Sequence, residues 1–221
     1  MNCPLAKTGR GRTAAPARVT LRSGYCGFDP RRVGFLRLMA IDRALQLADA
    51  ARRRLFVRLR RRFEKTPIRG YVIEVGPKWF LLGLVSDRIW LDGYECFRIQ
   101  DIGSVAADPY AAFAEAALRK RREPQPGNPC VNVATIEDLL LSASRASPLV
   151  TIHREEVDPD VCWIGRVLRV KRGRVTLLEI NPDASWDKKP HSYRLGEITR
   201  VNFGGDYEGA LHLVGGDPPT I

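Results

Sequence analysis

Long apolar runs, paired cysteines and the short motifs of common enzymes are all missing from this chain of 221 residues. No stretch approaches the ~18–20 uninterrupted apolar residues of a membrane-spanning helix, so no membrane partner is expected. The five cysteines, Cys3, Cys26, Cys96, Cys130 and Cys162, contain no C-x-x-C pair. An odd, scattered set reads as reduced thiols in the cytoplasm, not as a disulfide framework or a zinc site. There is no G-x-S-x-G, H-E-x-x-H, P-loop or G-x-G-x-x-G, and His153, His191 and His212 lie far apart in the chain. An enzyme is therefore the least supported class, and no cofactor is expected.

Acidic residues are scarce at one end. Residues 1–38 hold eight basic side chains against the single acid Asp29, a net +7, whereas the remaining chain holds 28 basic and 24 acidic groups, a net +4. Rich in Gly, Pro, Thr and Arg and without amphipathic periodicity, residues 1–38 read as a disordered basic tail. That tail either binds nucleic acid or precedes the true start, since Met39 opens the helical sequence MAIDRALQLADAA.

The strongest signal is an internal repeat. Gly70, Val72, Val75 and Leu82 match Gly165, Val167, Val170 and Leu177 at a shift of 95, and Arg98, Ile102 and Val105 match Arg194, Ile198 and Val201 at a shift of 96. Each copy reads as an apolar strand after glycine, a tight turn at Gly76-Pro77-Lys78 or Lys171-Arg172-Gly173, a second apolar strand, a variable stretch, and a short strand ending in I-x-x-V. In the first copy the variable stretch contains Asp92-Gly93, a hairpin-turn signal; in the second, residues 181–190 read as a longer loop.

Helical spacing precedes each copy, over Ala40 to Arg53 and over Thr135 to Arg145 with Thr135 as its cap. Extended runs come next at Leu55 to Leu59 and Leu149 to His153. A further helix is predicted over Asp108 to Arg122 and a short one from Asp206. The expected organisation is a tail over 1–38, a helix-plus-barrel unit over 39–122, a Pro-rich linker over 123–134, a second unit over 135–214, and a fraying end over 215–221.

A helix followed by about five short strands, with G-x-V-x-x-V in strand two and I-x-x-V in strand five, resembles the Sm-like group of SH3-like small barrels. The resemblance covers about residues 40–105 and 135–205. The segments D-P-D-x-C-x-I-G-x-V and F-G-G-x-Y of the second copy are also similar to bacterial proteins of no known function. The fold it implies is α+β, mainly β: two duplicated helix-plus-five-strand barrels. Sm-like proteins pair edge strands into rings and bind RNA, but the resemblance carries over to this chain at the level of the fold alone. Where the Sm pattern has its RNA-contacting Asp and Asn, this chain has Gly76 and Phe80, then Lys171 and Val175, so uridine recognition in the family's mode is not implied.

Three sets of residues are candidate sites. Arg52, Arg53, Arg54, Arg58, Arg60, Arg61 and Arg62 place seven arginines in eleven positions, a block suited to phosphate contacts, with Lys171, Arg172 and Arg174 as a second basic set. The segment from His153 through Glu155, Glu156, Asp158 and Asp160 to Cys162 holds metal-ligand residue types, the basis of a metal-dependent hydrolase as the most distant reading. Trp79, Trp90, Trp163 and Trp186 with Tyr94, Phe97, Tyr193 and Phe203 are expected to fill the core. The leading expectation is a non-enzymatic cytoplasmic binding or adaptor protein whose partner is a protein or RNA.

Overall fold

Alternation of apolar and polar residues writes most of the strands. In the computed structural model, which describes residues 30–219 and their side chains from residue 41, the order is α1 (Pro30–Arg52), β1 (Phe56–Arg61), β2 (Ile68–Val75), β3 (Trp79–Val85), β4 (Leu91–Arg98), β5 (Ile102–Ala107), α2 (Ala111–Lys120), α3 (Ile136–Ala146), β6 (Val150–His153), β7 (Cys162–Lys171), β8 (Arg174–Glu179), β9 (His191–Arg194), β10 (Arg200–Phe203) and α4 (Asp206–Gly215). The chain is thus α+β and mainly β. Of the tail expected over 1–38, residues 1–29 lie outside the described residues and the remainder belongs to α1, which begins at Pro30 rather than at Ala40. Thr135 caps α3 as expected, its hydroxyl accepting from Asp138 N at 3.0 Å.

The ten strands form one antiparallel sheet in the order β5-β1-β2-β3-β4-β10-β6-β7-β8-β9. The first five and last five strands run in the same internal order, fifth, first, second, third, fourth. Their registers agree as well: Gly70 faces Leu84 and Val72 faces Leu82, while Gly165 faces Glu179 and Val167 faces Leu177. Both pairs carry an irregularity at the same place, after Val72 and after Val167.

Two separate closed barrels do not form; the sheet is open. The reason lies in β4 and β10, which pair with each other, Phe97 opposite Arg200 and Tyr94 opposite Phe203. Each half's closing position is therefore occupied by a strand of the other half. Asp92-Gly93 is likewise not a turn but part of β4; the turn is Ser86–Trp90, with Ile89 at φ 58°. Gly93 sits at φ 69°, and a Cβ there would lie 2.4 Å from Gly205 N, so glycine permits the close approach of the two halves.

One core, with Leu47, Leu59, Val72, Phe80, Leu82 and Phe97, lies between α1 and the first five strands. The second is not confined to its own half. Leu139, Leu140, Ile152, Leu177 and Phe203 join Trp79, Leu81 and Cys96 of β3 and β4, and Val131 and Val133 of the connecting segment. Of the eight aromatics expected inside, Trp79, Phe97, Tyr193 and Phe203 are buried, Tyr94, Trp163 and Trp186 are half-buried, and Trp90 is exposed beneath Arg121.

Candidate functional site

The arginine block is divided by the strand it enters. Arg52 and Arg53 end α1, exposed, and both reach Asp49. Arg54, at φ 52°, and Arg60 are exposed, Arg58 is half-buried, and these three form no ion pair among the described residues. Arg61 departs from the expected nucleic-acid set. Its side chain is 0 % exposed, with its guanidinium 4.4 Å above the Phe97 ring. It donates to Glu155 Oε2 at 2.7 Å and Oε1 at 3.2 Å and pairs with Glu64. Its Nε is left without a partner, but a guanidinium buried this completely between two carboxylates is out of reach of a phosphate in solvent. Arg62 is half-exposed but bound to Asp101 at 2.9 Å and to Glu156.

Around Arg61 the two halves are joined by buried charge. Arg200 of β10 pairs with Glu95 of β4, donates to Glu64 Oε1 at 3.3 Å, and orients Asn202 Oδ1 at 2.9 Å, while Asn202 donates to Glu95 Oε1 at 3.1 Å. Burial pushes the Glu64 and Glu95 carboxyls above their usual range, against the pull of Arg61 and Arg200. Burial penalises the Arg200 cation too, but Glu95, Glu64 and Glu155 outweigh it and raise its pKa. His153 abuts this network with Nε2 buried and without a hydrogen-bond partner. Burial first, then Arg200 and Arg61, hold its imidazole well below its ordinary pKa, so it is neutral at pH 7.

The segment from His153 to Cys162 does not bring its donors to one point among the described residues, and three of its carboxylates are engaged by arginines. Glu155 serves Arg61, Glu156 serves Arg62 and Arg98, and Asp158 accepts from Arg154 at 2.6 Å. His153 and Cys162 face one another across the β6–β7 ladder. Glu155 and Glu156 are the counter-ions of Arg61 and Arg62, each pair 94 residues apart in the chain.

The second basic set holds together and grows. Lys171 and Arg172 are exposed at the β7–β8 turn, where Arg172 and Gly173 adopt φ 54° and 69°, as a type I′ turn requires. Arg174 reaches across to Ser192 O at 2.6 Å. Arg166, Arg169 and Arg194 are exposed on the neighbouring positions of β7 and β9, three residues outside the expected set; Arg166 and Arg169 flank the apolar pair Val167-Leu168 in the sequence. Leu168 among them is 44 % exposed. Two long ion pairs, Arg166 with Asp217 at 3.6 Å and Arg194 with Glu197 at 3.5 Å, leave these side chains half or more exposed.

The matching face of the first half is covered. Tyr71 and Ile73 of β2, equivalent by register to Arg166 and Leu168, pack under Ala114 and Leu118 of α2. The connecting segment lies beside them: Pro126 touches Gly83, Tyr94 donates to Gly127 O at 3.0 Å, and Asn128 bonds Glu74. Comparison with known protein families, curated proteins and solved structures finds no match to this chain.

Proposed function

We propose that this chain is a binding protein built from two Sm-like units that lend each other their closing strands, and that it holds RNA on the open basic face of the second unit. Shared strand order and shared registers support the two-unit reading. The observation that carries the ligand is the uncovered face of β7–β9, where Arg166, Arg169, Lys171, Arg172, Arg174 and Arg194 gather around exposed Leu168. Such a surface suits a polyanion, because each neutralised phosphate releases counter-ions. Arg58 and Arg60 form a smaller, separate basic set on β1. The cytoplasm, with its reduced thiols, is the compartment this reading places it in.

Filter binding of single-stranded RNA across a salt series tests the proposal. Affinity is expected to fall steeply with salt, with a slope of about −0.7 per phosphate contact. Arg169→Ala with Lys171→Ala and Arg172→Ala should flatten that slope, while Arg58→Ala with Arg60→Ala should change it less. Salt-independent affinity, or a triple variant that binds like wild type, overturns the reading.

A second reading, an adaptor or homo-oligomer that pairs through sheet edges, has its own support. β5 and β9 end the sheet, and they are equivalent to β10 and β4, the two strands that pair inside the chain. Beside the β5 edge, Val105, Ala106 and Ala107 line a shallow depression with exposed Leu45 of α1. Light scattering that returns a monomer at all concentrations would remove the oligomer.

A further inference from the structure

The loop from β8 to β9 brings three metal-binding side chains to one point, and we propose that it binds Zn²⁺ through His191 Nδ1, Glu179 Oε1 and Asp187 Oδ2. His191 Nδ1 lies 3.0 Å from Glu179 Oε1 and 3.5 Å from Asp187 Oδ2, and the three donor atoms all fall within 4.8 Å of one another. Tetrahedral zinc with bonds of about 2.0–2.2 Å places its ligand atoms about 3.3–3.6 Å apart. The His191–Asp187 distance falls within that spacing and the His191–Glu179 distance is slightly short of it.

The donors are held in place before any ion arrives. Asp187 N donates to Glu179 O at 2.8 Å, and Asn181 Nδ2 donates to Asp187 Oδ1 at 3.0 Å. Oδ1 is thereby occupied and Oδ2 is the oxygen turned to His191. Next to Asp187, Trp186 Nε1 anchors the loop to Gly215 O at 3.1 Å. Tyr193 donates to Glu179, the outer hydrogen bond that metal-ligating carboxylates commonly carry.

The first half shows that this polarity is not a requirement of the fold. By register, Glu179, His191 and Tyr193 stand where the first half has Leu84, Glu95 and Phe97. There Leu84 and Phe97 are core, and Glu95 is engaged by Arg200 of the adjoining strand. The second half instead places a carboxylate only 16 % exposed at the leucine position, and burial raises its pKa. Desolvating a carboxylate is costly unless something stabilises the charge. β9 ends the sheet, so no strand brings it an arginine. A divalent cation does that work, with three protein ligands and water in the fourth position.

The test uses the full chain, stripped with chelator, titrated calorimetrically with Zn²⁺ alone. A 1:1 site is expected in wild type, lost in His191→Ala and in Asp187→Asn, and weakened about tenfold in Tyr193→Phe. Asp187→Asn keeps the side-chain volume and carries the test if His191→Ala fails to fold by circular dichroism. Co²⁺ as a spectroscopic substitute should give a spectrum without a sulfur-to-metal charge-transfer band, because no cysteine is a ligand. Such a band, absence of a 1:1 site in wild type, or stoichiometry unchanged in both ligand variants overturns the proposal. No RNA enters these measurements, so the outcome is independent of the RNA-binding reading.

Discussion

On β2 the outer face carries Tyr71 and Ile73 beneath α2 and alongside the connecting segment, whereas the same positions on β7 are Arg166 and Leu168 in open solvent. The two sets of strands share order and register, so the difference arises in what packs on them, α2 first and then the connecting segment. After α2 the chain continues as residues 121–135, which lie against β2–β4 and enter the second core at Val131 and Val133. α4 packs on Leu149, Ile164 and Ile180 and Asp217 touches Arg166 at 3.6 Å, while among the described residues Leu168, Arg169, Lys171 and Arg172 stay exposed. Strands in the same order and register thus carry unequal surfaces, and the more open one bears the exposed positive charge.

The sharpest way to break the relation between the halves is at their buried charges. Arg61→Leu leaves Glu64 and Glu155 without their shared guanidinium, and removing one member of a buried pair costs about 3–5 kcal/mol. Urea denaturation should show that loss as one displaced transition; two separate transitions would mean that the halves unfold independently.

Two glycines with the same dihedral angle sharpen the contrast. Gly93 and Gly173 both have φ 69°, but a Cβ at Gly93 meets the Gly204–Gly205 backbone, whereas nothing lies within 4 Å of one at Gly173. Gly173→Ala should therefore cost only the left-handed backbone penalty of about 1–2 kcal/mol. Gly93→Ala adds a collision and should exceed it in the same denaturation experiment; equal losses would show that the junction gives way freely.

The smallest effect is on pH. His153 is held neutral in the folded chain, facing Arg61 and Arg200 with Glu64, Glu95 and Glu155 beyond them. The unfolded chain therefore binds more protons below about pH 6.5. This contribution is fully present above that pH and declines as pH falls below it. Glu64 and Glu95, with carboxyls pushed up by burial, act in the opposite sense at more acidic pH. The informative quantity is wild type minus His153→Gln at each pH, which should become less favourable to wild type on acidification.

The β2–β3 and β7–β8 hairpins and the Thr135 cap were legible in the sequence because each rests on contacts a few residues apart. The junction was not. β4 and β10 pair across about a hundred residues, and no local pattern names a strand's second neighbour, so Asp92-Gly93 reads as a turn when it is a point of close approach. Arg61 misleads for a similar reason. Its neighbours in sequence are exposed arginines, and only the fold brings Glu155 to it. Glu179, Asp187 and His191 escaped notice because eleven loop residues separate the outer two, and Asp187 and His191 come together with Glu179 only once that loop folds back.

The pairing of β4 with β10 has a practical corollary for anyone wishing to dissect the molecule. A protease cut in 123–134 produces fragments rather than domains: the amino-terminal piece would bare Trp79, Leu81 and Cys96 together with one whole side of the β4 ladder, and the carboxy-terminal piece would bare the matching side of β10. Nicked chain should stay assembled under native conditions and come apart only in denaturant.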